Sequence, residues 1–194
     1  MVDAARAMPV ESQWDLLEEY GLNDSFSVVW IDTENVEEVA QRLRADPSSG
    51  IVCDLDTAFT LPDYDPQDIL VWIGAHSPGW SVAVVLQGVL SFREEEASIG
   101  GRRVITHWHM AFSAKLADEG MLYHRDGEFL GPLGSAEEFH DHTHDLVVRD
   151  HDGFRELVEA LLILAGRVTG RFLDRDWFAT SRTLYRVPRD AWSR

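Results

Sequence analysis

The run Ile69-Leu70-Val71-Trp72-Ile73 turns at Ser77-Pro78-Gly79 and returns as Trp80-Ser81-Val82-Ala83-Val84-Val85-Leu86; a third apolar run, Val104 to Phe112, follows a charged interruption. Each run is short, rich in β-branched and aromatic residues, and bounded by Gly, Pro or Asp, the pattern of strands joined by tight turns. The spacing predicts an antiparallel meander over residues 68–130, with the flanking chain supplying helices to cover one face.

Upstream, Ser12 can cap a helix through Tyr20 that stops at Gly21, with Asp15, Glu18 and Glu19 toward its positive end. Phe26 to Ile31 reads as a strand. Thr33 can cap the next helix, whose Val36, Val39, Ala40 and Leu43 make one apolar stripe and whose Glu38 and Arg42 can pair across one turn. The Asp- and Pro-rich stretch 54–68 reads as a loop, and Asp63-x-Asp65-x-x-Asp68 within it as a proline-punctuated turn. It lacks the glycine and glutamate of an EF-hand. Glu94 to Ser98 reads as a helical turn or exposed loop. Arg125-Asp126-Gly127 and Asp118-Glu119-Gly120 are hairpin turns. A helix over about 152–167 buries Phe154, Leu157, Val158, Leu161, Leu162 and Ala165 and ends at Thr169-Gly170. Together these predict one α+β domain over residues 11–182, an antiparallel meander of five to seven strands with helices packed on one face. A flexible N-terminus (1–10) and a loosely tethered basic tail (183–194) flank it.

Charge is unevenly spread. Residues 1–97 carry 19 Asp and Glu against 4 Arg, a net of −15, while residues 98–194 carry 15 against 13, and the whole chain has net charge −17. An acidic front half gives no positive footprint for phosphates, which argues against nucleic acid as partner; it suits a protein with a basic surface, whose approach such a field speeds. The single cysteine, Cys53, sits in the apolar run Ile51-Val52-Cys53 and reads as a small core residue. No stretch has the length and character of a membrane span or signal peptide, so the expected location is the cytoplasm, without membrane association.

Histidines are the one concentration of site chemistry: residues 107–144 hold six, five of them in the two close groups His107-x-His109 and His140-x-His142-x-His144. In a strand Ile105, His107, His109 and Ala111 share one face, and Val104, Thr106, Trp108, Met110 and Phe112 the other. His107 and His109 could be first ligands of a metal, completed by His140, His142 or His144; such a nitrogen set with a carboxylate suits Zn, Fe or Ni. If Trp108 and its neighbours meet the core instead, the two imidazoles are merely the polar outside of a half-solvated sheet. Gly101 followed by His107-x-His109 resembles the opening of the cupin metal motif, and Pro132-Leu133-Gly134 its second half. The pattern departs where Ser113 or Ala114 replaces its Glu and Glu137 replaces its last His. No nucleophile elbow and no phosphate-cradling glycine loop occurs.

Several segments resemble a mainly actinobacterial family of domains of unknown function. They are Trp30 through Asp46, Val71-Trp72-Ile73-Gly74 with Gly79-Trp80-Ser81-Val82, Ala117-Asp118-Glu119-Gly120, and Leu164-Ala165-Gly166-Arg167-Val168-Thr169-Gly170. The resemblance spans roughly residues 14–180. It implies a helix-flanked antiparallel sheet and brings no catalytic residues, and His107-x-His109 is not part of its pattern. The functional expectation is a non-catalytic, acidic, intracellular protein-binding module, immunity- or antitoxin-like or an accessory partner, that docks a basic surface and needs no cofactor. The competing expectation is a metal-dependent enzyme, a hydrolase or cupin-like oxygenase, built on the histidine cluster.

Overall fold

In this computed structural model, which describes residues 4–61, 65, 67–110, 120–146 and 153–192, the elements are α1 (Gln13–Glu19), β1 (Ser25–Ile31), α2 (Val36–Arg42), β2 (Ile51–Cys53), α3 (Leu55–Thr60), β3 (Ile69–Ser77), β4 (Trp80–Gln87), α4 (Glu94–Ser98), β5 (Arg103–Met110), β6 (Leu122–Arg125), β7 (Glu128–Pro132), α5 (Phe154–Thr169), α6 (Arg175–Ala179) and β8 (Arg182–Val187). The strands form one sheet in the order β2-β8-β3-β4-β1-β5-β6-β7, with every pairing antiparallel. The chain is thus α+β with an antiparallel sheet, as its apolar runs predict. Among the described residues the sheet has eight strands rather than five to seven. Only β3–β4 and β5–β6–β7 are sequential hairpins, because β1 enters between β4 and β5, and β8 between β2 and β3.

Side-chain parity divides the core in two. Val28 and Trp30 of β1, Trp72 of β3, and Val82 and Val84 of β4 pack with Leu16 and Leu17 of α1, Val158 and Leu162 of α5, and Trp177 and Phe178 of α6. Val29, Ile31, Val71, Ile73, Ala83 and Val85 point the other way and meet Val39 and Ala40 of α2, Leu43 at its C-cap, and Ala97 of α4. The helices therefore lie on both faces, not one. The physical reason is already in the strands: a half-solvated strand alternates apolar with polar residues, whereas Ile69–Ile73 and Val82–Val85 are buried without interruption, which requires cover on each side.

Local chemistry places the elements. Ser12 caps α1, its Oγ accepting from the Asp15 N–H at 3.2 Å. At α2 the cap is Asn35, whose Oδ1 accepts from the Glu38 N–H at 3.0 Å, while Thr33 accepts from the Asn35 N–H and donates to Glu38. The expected Glu38–Arg42 pair forms at 2.9 Å. Within the stretch read as a loop, Asp54 caps α3 by accepting from the Thr57 N–H at 2.8 Å; Asp63, Asp118 and Glu119 fall outside the described residues. Asp126 and Gly127 both take positive φ, 49° and 86°, the two-residue turn that matches strand twist between β6 and β7. The stretch from 183, expected as a loose tail, instead continues β8, where Thr183, Leu184 and Tyr185 pair with both β2 and β3. Its short alternation of apolar and polar residues is a strand pattern that the arginines around it obscure. At the other terminus the carbonyl of Ala7 and Sδ of Met8 accept from Arg167, which also binds the His142 carbonyl and Asp145.

Folding also brings the acidic half of the sequence onto arginines of the other half. Arg102 pairs with Glu38 and Arg103 with Asp32, both at 2.9 Å; Arg186 meets Asp46 at 2.7 Å, Arg155 meets Asp15 at 2.5 Å, and Arg175 holds Glu19 at 2.6 Å and Glu11. Part of the negative charge that the sequence offers to a partner is thereby met within the chain.

Candidate functional site

His107 and His109 lie on the face of β5 that meets α1 and α5, and both are buried, 2 % and 1 % exposed. Nε2 of His107 is 3.0 Å from Nδ1 of His109, and Nε2 of His109 is 3.2 Å from the carbonyl of Asn23. A carbonyl only accepts, so His109 carries its proton on Nε2, and its bare Nδ1 accepts from His107 Nε2–H. His109 is enclosed by the rings of Trp14, Phe26 and Phe154, at 6.1, 6.0 and 5.1 Å. Burial pushes the His107 pKa down to about 3, with the neighbouring His109 acting in the same direction; burial lowers that of His109 too, against its Asn23 hydrogen bond. The pair stays neutral at ordinary pH.

His140, His142 and His144 belong to the turn that includes Glu137–His142 and the residues just after it. His140 and His144 are exposed with ring centroids 4.9 Å apart; His142 packs on Phe139. No three of the five histidines bring ligand nitrogens within 4.8 Å of one another. The sequence singled them out by proximity along the chain, but β5 carries two of them inward under α1, while the other three ride a surface turn.

The opposite face of β5 holds what the sequence left open. Trp108 and Met110 point away from the aromatic core and are 40 % and 41 % exposed. Antiparallel register sets Ser27 beside Trp108 and Ser25 beside Met110. α2 and α4 cover Val29, Ile31 and Val104 farther along the same face and leave Trp108 and Met110 exposed. With the loop Gly88–Phe92 as a wall and Glu94 among the lining side chains, they form a groove of about 260 Å³. Val89 in that wall is exposed. A concave, mainly apolar hollow with a few polar groups is the usual form of a binding site.

Beside Glu94 lie Glu95 and His124, each of the three with a ligand atom within 4.8 Å of the others'. β6 places His124 opposite Val104 and therefore on the groove side of the sheet. Burial raises the pKa of Glu94; its own backbone N–H opposes this, and the neighbouring Glu95 adds to the rise. Burial lowers that of His124, with Glu95 acting against it. No local pattern announces this group, since 28 residues separate Glu95 from His124 and only the β5–β6 hairpin brings them together. Among the described residues no helix is long and apolar enough to cross a membrane. No protein-family model matches this chain, and no curated protein or solved structure matches it.

Proposed function

We propose that this chain is a non-catalytic protein-binding module that seats an apolar segment of a basic partner in the groove over Trp108 and Met110. The observation that carries the reading is the exposure of these two large side chains in a concave stretch beside the central strands, whose faces are otherwise covered by helices. Exposed apolar groups gathered around a hollow are characteristic of interaction sites. The charge of the partner follows from the net −17 of the chain and from Glu94, the one carboxylate in the lining among the described residues. The intramolecular arginine pairs reduce the acidic surface but leave the net charge, which governs long-range encounter. An immunity-like, antitoxin-like or accessory role fits such a module.

The test is binding to an immobilised set of apolar peptides flanked by Lys and Arg, with the same cores flanked by Asp and Glu as controls. Salt-sensitive retention of the basic set, weakened at least about 10-fold by Trp108→Ser, supports the reading. Equal retention of both sets, or indifference to Trp108→Ser, overturns it.

A further inference from the structure

We propose that Glu94 and Glu95 of α4 and His124 of β6 bind one divalent cation of the zinc or manganese class, which clips α4 to the outer strands of the sheet. The site goes beyond the docking reading and needs no partner. One ligand atom from each residue lies within 4.8 Å of the others, and Glu95 Oε1 is 3.9 Å from His124 Nε2. Around a tetrahedral zinc with bonds near 2 Å, ligand atoms sit about 3.4 Å apart. Closure asks for a shift of about 1 Å, which the half-exposed Glu95 side chain can supply by rotation. One imidazole nitrogen with carboxylate oxygens is a donor set for zinc or manganese; the nitrogen disfavours magnesium and calcium, which take oxygen.

The independent pointer is the state of His124. It is 3 % exposed, its Nδ1 has no hydrogen-bond partner, and the carboxylate facing Nε2 stands beyond hydrogen-bond distance. Buried polar groups are as a rule satisfied. Among the described residues this buried ring makes no hydrogen bond through either nitrogen. A cation between Nε2 and the two carboxylates gives it a partner on the side that faces Glu95 and balances the negative charge, while Nδ1 stays without one. The carboxylates need it: of Glu94-Glu95-Glu96, Glu96 takes Arg44 and Arg93, each at 2.7 Å, whereas among the described residues Glu94 and Glu95 meet no arginine. The two carboxylates also stand next to each other on one turn, where mutual repulsion favours a shared cation. Phe129 of β7 packs on the His124 ring at 5.0 Å and holds its plane.

The full chain, stripped with a chelator and returned to metal-free buffer, is titrated by calorimetry with ZnCl2, MnCl2 and MgCl2, with no peptide present. The expected result is one zinc per chain, manganese binding at the same site, magnesium weaker by at least about 10-fold, and a Tm raised by about 5 °C or more at a hundredfold excess over Kd. Glu95→Gln, at a half-exposed position that does not endanger folding, and His124→Phe, which keeps a ring against Phe129, each weaken zinc at least about 10-fold. The double variant His140→Ala with His144→Ala leaves the tight site intact. Absence of stoichiometric zinc, unchanged affinity in folded Glu95→Gln, or loss of the tight site in the His140/His144 variant overturns the proposal. Because no partner enters the experiment, its outcome is separate from that of the groove.

Discussion

Nε2 of His107 and Nδ1 of His109 share one hydrogen bond of 3.0 Å inside the core, so the two imidazoles are tied to a single arrangement of protons in which neither is charged. The bond chain runs from His107 through His109 to the carbonyl of Asn23, leaving Nδ1 of His107 as a buried nitrogen without a hydrogen-bond partner. Adding a proton there would place a cation inside the core, against the His109 ring.

That arrangement makes the fold acid-sensitive. Burial holds His107 at about 3 and His76 at about 4, both below the ordinary 6.5 of an imidazole. The unfolded chain therefore takes up protons that the folded chain refuses. Stability is complete above about pH 6.5 and falls as pH drops toward 4 for His76 and 3 for His107. Each group contributes at most about 1.4 kcal/mol per pH unit over that window. Urea unfolding midpoints between pH 7.5 and 5 are expected to decline, and His107→Gln should flatten the slope by about one proton. A midpoint independent of pH across that range would contradict the assignment.

Trp108 and Trp30 separate surface from core within adjacent strands. Trp108 is 40 % exposed, whereas Trp30 is fully buried between sheet and helices. Trp30→Ala is expected to cost about 3–5 kcal/mol, while Trp108→Ser should cost about 1 kcal/mol or less. Chemical denaturation of the two variants measures the difference. A large loss for Trp108→Ser would mean that its ring supports the fold rather than a partner.

Gly166 sits inside α5, where alanine would ordinarily be favoured by about 1 kcal/mol. A Cβ at this position would stand 2.2 Å from Cδ1 of Phe172 and 2.8 Å from its Cε1, so the ring that folds back over the helix must move. The overpacking term, about 1–3 kcal/mol, outweighs the helical gain, and Gly166→Ala is expected to be net destabilising. Thermal melts decide the sign, and Gly166→Ala combined with Phe172→Ala should recover part of the loss.

Arg167 ties three segments together from within α5. Its side chain is fully buried and donates to the carbonyls of Ala7 and His142 and to Asp145 at 2.7 and 2.9 Å. Arg167→Met keeps the stem but leaves those acceptors without their donor. Asp145 is half exposed and can be solvated, so the expected cost is about 2–3 kcal/mol rather than that of a stranded buried charge. Hydrogen exchange should quicken in residues 4–8 and 137–146 before it does in the central strands.

The sequence by itself determined the central strands β1, β3, β4 and β5, the stripes of α2 and α5 and the cap of α1, though not β8 or the Asn35 cap of α2. What it determined is set by the period of apolar residues and by side chains a few positions away: Ser12 to Asp15, Glu38 to Arg42, and Val39 with Ala40 and Leu43. It also held, unused, the sign of a twice-covered sheet in the unbroken apolar run of β3. Only the tertiary structure decided which face of β5 meets the core, since Ile105-His107-His109 and Thr106-Trp108-Met110 carry no pattern that ranks one above the other; α1 and α5, closing over the imidazoles, made that choice. Tertiary structure likewise set the acidic half against Arg102, Arg103, Arg155, Arg175 and Arg186, and brought His124 to Glu94 and Glu95. Groups far apart along the chain become neighbours only through strand order and register, and these follow from the packing of both layers at once rather than from any local pattern.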